Sequence, residues 1–462
     1  MKKLFGTKEF YKMALIIALP LMIQNALTSC VNLVDNVMVG TLGTESMTAV
    51  SIANQLLFVY QLTVFGGVGG AGIFTAQYFG KGDNEGIRYT MRFKLIVSLT
   101  LAIAAALLFT FFGEPLIGLF LHADEVTDVN LCRSESMRYL RLMIFTTLPF
   151  AISQVYSDTL RGCGHTVVPM SAAAVGIVIN VALNYILIFG KLGAPAMGVE
   201  GAALATLISR TCEALVLVVW SHTHTKRYTF IPGVWRSLWI PTALVRRITL
   251  KGLPLLFNET FWSLGMTVIA QCYSTRGLSA VAAYQICQTV WQLFTIIAFA
   301  LGNSVGIIVG QKLGAGELEK AKDYAVKLIT FATLVATVCG CLLGVCAPLF
   351  PQLYNTTDEV RGLATQMLQV MAVCLPLMSF TLACYFTLRC GGKTMITMLF
   401  DSVFVWVVCI PVAWCLSRLT TLPMLTLYCL CQTPEIVKCL LGFFMVRSGT
   451  WAQDLTSVQS DS

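Results

Sequence analysis

Gly72-Ile73-Phe74-Thr75-Ala76-Gln77-Tyr78-Phe79-Gly80-Lys81-Gly82 recurs 234 residues further on as Gly306-Ile307-Ile308-Val309-Gly310-Gln311-Lys312-Leu313-Gly314-Ala315-Gly316. The same offset carries Leu19-Pro20-Leu21 onto Leu253-Pro254-Leu255, and Asp124-Glu125-Val126 onto Asp358-Glu359-Val360. Leu160-Arg161 with Gly164 and Thr166 returns as Leu388-Arg389 with Gly392 and Thr394, at an offset of 228. Four segments matched in the same order read as a tandem duplication. Whatever one half builds, the chain builds twice.

Each half is made of membrane-crossing helices. Of 462 residues 56% are apolar and 12% charged, against about 25% charged in a soluble domain. Runs such as Leu95–Phe112 and Leu328–Phe350 are long enough to cross about 30 Å of hydrocarbon. Being continuous rather than alternating, they exclude a β-barrel. Twelve spans are expected, over approximately 13–38, 49–77, 93–113, 138–159, 167–190, 198–221, 252–274, 280–309, 325–349, 366–387, 395–417 and 422–446. The first is too long for a signal h-region and is read as uncleaved. The 17 cysteines lie mostly inside apolar spans without ligand spacing, the pattern of small packing residues rather than of metal or disulfide frameworks.

Lys and Arg collect in alternate loops, 22 on one side, including Lys2, Lys3, Lys81, Lys94 and Arg161, against 7 on the other. The positive-inside rule then puts both termini in the cytoplasm. This distribution, rather than the net charge of +8, argues against nucleic acid as a partner. The expected organisation is a six-helix lobe over 1–221, a basic and Trp-containing interfacial linker over 222–251, a second six-helix lobe over 252–450 and a polar tail over 451–462. Six is even, so both lobes enter the membrane from the same side and are related by a pseudo-two-fold. A cavity between them is the natural substrate path, opened to each side in turn by rocking.

A charge inside a span costs roughly 2.5 to 3.5 kcal/mol on insertion scales and needs a reason. Asp35 lies in the first span with no basic residue near it in sequence. It reads either as a carboxylate that binds a proton or Na⁺, or as a wetted helix end before Gly40 and Gly43. Asn180 and Asn184 are four residues apart and share a helix face. They offer amide oxygens to a cation or hydrogen bonds between helices. Glu259 matches Asn25 under the repeat, and Asp35 matches Ile269. Glu259, Gln24, Asn25, Trp262, Tyr284, Gln285 and Gln288 are candidates for the substrate cavity, the aromatic rings serving organic cations or plain packing. Arg210 with Glu213, and Glu435 with Lys438, are spaced for pairing within one helix. Asp158 and Asp401 sit near span ends, where solvation would suffice.

These segments together resemble the multidrug and toxic compound extrusion (MATE) family. The carriers are Leu33-Val34-Asp35-Asn36-Val37-Met38-Val39-Gly40, Ala76 to Asp83, Leu160-Arg161-Gly162-Cys163-Gly164, Asn180 to Asn184, Val309 to Gly316 and Arg447 to Trp451. The resemblance implies an all-α polytopic membrane protein, its twelve transmembrane helices in two six-helix bundles forming a V, that exports cationic amphiphiles in exchange for H⁺ or Na⁺. It implies a DinF-like site, with Asp35 as the first-helix acid and Asn180 as the fifth-helix asparagine of a proton or Na⁺ site. Asn184 stands where some members carry Asp, so this site has one fewer charge. Glu259 matches a seventh-helix acid that some members use for Na⁺, but the tenth-span acid of those members has no counterpart in Met378–Leu388.

The expectation is a multidrug antiporter of a bacterial inner membrane, a monomer without a cofactor. A lipid-linked oligosaccharide flippase is the first rival; it would line its cavity with several basic residues, whereas Arg210 is the one intramembrane arginine legible here. A non-transporting receptor or scaffold is the second. There is no G-x-x-x-x-G-K-[ST] loop, hydrolytic triad or zinc pattern, so no enzyme is proposed.

Overall fold

A computed structural model describes residues 4–119, 129–354 and 356–457. Lys2, Lys3 and the Asp124-Glu125-Val126 copy of the repeat lie outside the described residues. The described chain is helical throughout: α1 (Lys8–Gly40), α2 (Thr44–Lys81), α3 (Asn84–Gly118), α4 (Val129–Met143), α5 (Thr147–Gly162), α6 (Val167–Phe189), α7 (Gly198–Thr223), α8 (Thr242–Ser274), α9 (Leu278–Gly314), α10 (Leu318–Cys346), α11 (Asp358–Cys390), α12 (Thr394–Met398), α13 (Ile410–Leu419), α14 (Met424–Gln432) and α15 (Pro434–Ser448). All twelve expected spans are helical. The fourth is α4 and α5 joined by a 3₁₀ turn at Ile144–Thr146; the eleventh runs from α12 to α13 through two π-helical turns, Leu399–Val403 and Val405–Cys409. Among the described residues ten stretches are long and apolar enough to cross a membrane. The fourth and seventh spans are helical without reaching that apolarity, since they carry groups such as Asp158, Arg161, Asn258 and Glu259.

Two compact units divide the chain. One comprises residues 23–75 and 83–248; the other comprises 1–22, 76–82 and 249–462. We call them the N-unit and the C-unit. In the N-unit Leu57, Val64, Phe109, Leu140 and Ala203 belong to one apolar core. In the C-unit Phe10, Ala14 and Ile17 from the start of α1 pack with Leu301, Leu328 and Leu388, and Cys287, Met367 and Leu427 anchor a second core.

The duplicated motif explains itself through geometry. Gly82 and Gly316 both take the left-handed region, at φ 78° and 74°, as do Gly164 and Gly392 at 80° and 77°. Each ends a helix with a turn that only glycine enters without strain. Within the C-unit the two copies meet: a Cβ on Gly80 would lie 1.8 Å from the Gln311 carbonyl oxygen, and one on Gly314 would lie 1.8 Å from that of Gln77. Gln77, fully buried, donates to the carbonyls of Cys390 (2.9 Å) and Gln453 (3.1 Å) and accepts from Leu455 N–H (2.6 Å).

Two segments outside the spans are packed against the helices. Between α7 and α8 the chain folds onto α3, where Arg92 donates to the carbonyls of Val234, Trp239 and Gly233 and Arg88 to that of Phe230. After α15, Trp451, Leu455 and Thr456 are buried. Lys94, which its place in the sequence assigns to a loop, is not a loop cation: it lies within α3 with no exposed surface and pairs with Asp158 at 2.6 Å. Asp158 therefore has a buried counter-ion rather than solvent alone.

Candidate functional site

In the N-unit α1 carries Asp35 to α6, where Asn180 and Asn184 share one face. Asn184 Nδ2 donates to Asp35 Oδ1 at 2.6 Å and, in the Asn180 orientation that turns its oxygen to this side, to Asn180 Oδ1 at 3.2 Å. The Asn180 amide lies 2.9 and 3.2 Å from the two Asp35 oxygens, so its nitrogen turned to that side donates to both. In the alternative orientation Asn180 Nδ2 reaches Thr206 and Ser209 of α7, at 3.4 Å each. Both asparagines are buried, and Asn184 Oδ1 is buried with no hydrogen-bond partner. Asp35 itself is half-buried, which leaves it reachable.

Asp35 has no ion-pair partner among the described residues. The cation acting on it at longer range is Arg210, which is committed to Glu213 at 2.9 Å, the intrahelical pair that the spacing suggested. Two asparagine amides thus meet a carboxylate that no described lysine or arginine pairs with. Such a cluster supplies carboxylate and amide oxygens to a small hard cation, or an acceptor to a proton.

The other sequence candidates separate. Gln24 Oε1 accepts from Arg161 at 2.8 Å, while its neighbour Asn25 is exposed. Glu259, half-buried in α8, lies 3.9 Å from Arg389. Tyr284 belongs to a C-unit core with Tyr273 and Tyr428, and Gln288 donates to its hydroxyl. Trp262 packs on the same core, and Gln285 is exposed.

The expected Glu435–Lys438 pair is not formed. Lys438 instead reaches Asp401 at 2.7 Å, and Glu435 accepts from Thr381 Oγ1 at 2.6 Å. Asp401 was read as solvated because its partners, Lys438 and Asn258, lie on other helices. The π-helical turn that holds it has no signature in spacing.

A duplicated, twelve-span helical bundle with an unneutralised intramembrane carboxylate defines a polytopic membrane transporter. The MatE family model matches residues 20–186 and 254–415, and the chain belongs to that family. It is 24% identical over 450 residues to a probable multidrug resistance protein NorM of Thermotoga maritima, covering 96% of this chain and 93% of that one. It is 28% identical over 408 residues to a probable multidrug resistance protein YoeA of Bacillus subtilis, covering 88% and 87%. Among solved structures it shares its fold with an outward-facing multidrug resistance MATE transporter of the MOP superfamily (TM-score 0.85, 22% identity, 96% of each chain). A MOP superfamily transporter from Pyrococcus furiosus, described as having a binding pocket of reverse polarity, superposes with a TM-score of 0.83 at 22% identity over 96% of each chain.

Proposed function

We propose that this protein is a secondary antiporter that exports cationic or amphiphilic small molecules in exchange for H⁺ or Na⁺, its two lobes alternating access across a bacterial inner membrane with both termini in the cytoplasm. The observation that carries the reading is the Asp35 site. A carboxylate inside a membrane unit, 2.6 Å from an asparagine donor and without a paired cation, is most stable with one exchangeable positive charge on it. Proton or Na⁺ binding supplies that charge on one side of the membrane, and its release leaves an anion that favours an incoming cationic compound. Asn184 and Asn180 orient the carboxylate and, by turning their amides, present oxygens to an ion in place of N–H groups. The multidrug resistance names of the relatives support the substrate class.

Asp35→Asn keeps the shape and the polar contacts and removes the charge. In membrane vesicles the variant should lose efflux of a cationic dye driven by an imposed pH or Na⁺ gradient, with the folded yield retained. Gradient-driven efflux at the wild-type rate in Asp35→Asn would reject the assignment, and comparing the two gradients identifies the ion.

A further inference from the structure

A second charged cluster lies in the C-unit and is built differently. Asn258 of α8, 1% exposed, is threaded into the hydrogen-bond ladder of the eleventh span. Its Oδ1 accepts from Ser402 N–H at 3.3 Å and from Ser402 Oγ at 2.7 Å, and Ser402 Oγ also reaches the Asn258 carbonyl at 2.6 Å. A side chain inserted in this way diverts a backbone donor, and the helix widens into the π turn Leu399–Val403. On that turn stands Asp401. Its Oδ2 accepts from Asn258 Nδ2 at 3.1 Å and its Oδ1 from Lys438 Nζ at 2.7 Å.

The groups facing this carboxylate are few. From α8 come Asn258 and Glu259; from α11 come Tyr385, whose hydroxyl accepts from Asn258 at 3.3 Å, and Arg389, 3.9 Å from Glu259. From α15 come Lys438, with its ammonium 5.4 Å from the Phe400 ring centre, and Glu435. Among the described residues of this cluster three carboxylates, Glu259, Asp401 and Glu435, stand with two cations, Arg389 and Lys438. A cluster with a negative excess inside the membrane needs every positive charge it has. The Asp401 and Lys438 side chains are 18% and 13% exposed, so the pair is not sealed against exchange.

We propose that Asp401 is a monovalent-cation site whose occupant is the chain's own Lys438 ammonium. The carboxylate is oriented as a cation ligand, one oxygen fixed by Asn258 and the other offered to the charge, and Lys438 fills the place of an ion on a tether. A free cation enters the wild-type site only by displacing Lys438. The C-unit thus runs without a free coupling ion, and removing the ammonium opens a site for one.

The test uses the purified full chain carrying Asp35→Asn, so that the N-unit site contributes nothing and a failure there cannot be mistaken for a failure here. Apparent melting temperature is read at pH 8.5 in 200 mM NaCl against N-methylglucamine chloride, and again at pH 6. With Lys438 present, Na⁺ should not move it, and the step to pH 6 gives a baseline set by groups outside the cluster such as His165, against which the variants are read. Lys438→Met should be stabilised by Na⁺ at pH 8.5 or by the step to pH 6, with a tenfold excess of ion over its dissociation constant raising the folded-to-unfolded ratio about elevenfold. Asp401→Asn with Lys438→Met should be indifferent again. A Lys438→Met protein that responds to neither Na⁺ nor acid overturns the proposal, as does a response that survives loss of the Asp401 charge; either would make the pair a structural brace. If Lys438→Met is not recovered folded, Lys438→Gln, whose amide still donates to Asp401, is read in the same way.

Discussion

Lys94→Leu should destabilise the N-unit far more than the double change Lys94→Leu with Asp158→Leu. The Lys94 ammonium has no exposed surface; it lies 2.6 Å from Asp158 Oδ2 as an ion pair and donates to Thr75 Oγ1 (2.8 Å) and Thr159 Oγ1 (3.3 Å). The single change leaves the Asp158 carboxylate without its cation, a loss of about 3 to 5 kcal/mol. The double change removes both charges. Thr75 and Thr159 then keep their bonds to the carbonyls of Ala71 and Val155, so no new buried polar group is orphaned. The duplication supplies the control: in the C-unit the same register holds Leu328 for Lys94, Phe386 for Asp158 and Val309 for Thr75, all buried.

Leucine rather than phenylalanine is the choice at 158, because Phe386 lies against Gly302 and Val68 occupies the matching place in the N-unit. The double variant should therefore be more stable than Lys94→Leu alone by about 2 kcal/mol or more, through relief of the unpaired carboxylate. This difference should appear as an apparent melting temperature about 5 °C higher for the double variant than for Lys94→Leu alone, measured by intrinsic fluorescence on purified protein in detergent. A double variant no more stable than the single one would refute the reasoning, because the cost would then lie in the lysine's packing and not in an unpaired carboxylate.

Two further outcomes follow from the duplicated motif and its surroundings. Gly80→Ala puts a methyl group 1.8 Å from the Gln311 carbonyl oxygen, backbone that cannot swing aside, and should cost about 3 kcal/mol or more; Gly82→Ala meets open space and should cost only the about 1 to 2 kcal/mol of its left-handed conformation, a ranking that thermal unfolding of the two variants will check. His165, between α5 and α6, stacks edge-on with Tyr228 at 5.0 Å, and burial, followed by the Arg227 charge, holds its imidazole below the ordinary 6.5. The folded state therefore disfavours the charged ring: its contribution is present above pH 6.5 and is lost as the pH falls through the lowered folded value. His165→Phe should flatten that part of the stability profile between pH 7 and pH 5, and an unchanged acid limb would dissociate the histidine from it.

The duplication and the spans were legible because both are written along the chain, as matched segments and as apolar runs that need no partner to be recognised. Asp35, Asn180 and Asn184 were legible for a related reason: each breaks an apolar run, and the two asparagines announce a shared face by their spacing of four. Lys94, Asp158, Asp401 and Lys438 were misplaced because their partners lie on other helices, and sequence spacing pairs charges only within one. Lys438 was assigned to Glu435 three residues away, whereas its counter-ion is 37 residues distant on a turn widened by Asn258. The repeat separates what these charges do for folding from what they do otherwise. Asp35 faces Ile269 in the register of the other half, Lys94 faces Leu328, and Asp401 faces Ala173. A six-helix unit forms with apolar residues at each of these places, so the fold requires none of the three charges, and a membrane interior penalises all of them. On the proposed reading the two halves use such charges differently: an open carboxylate that takes a mobile cation in one, a carboxylate closed by a tethered ammonium in the other.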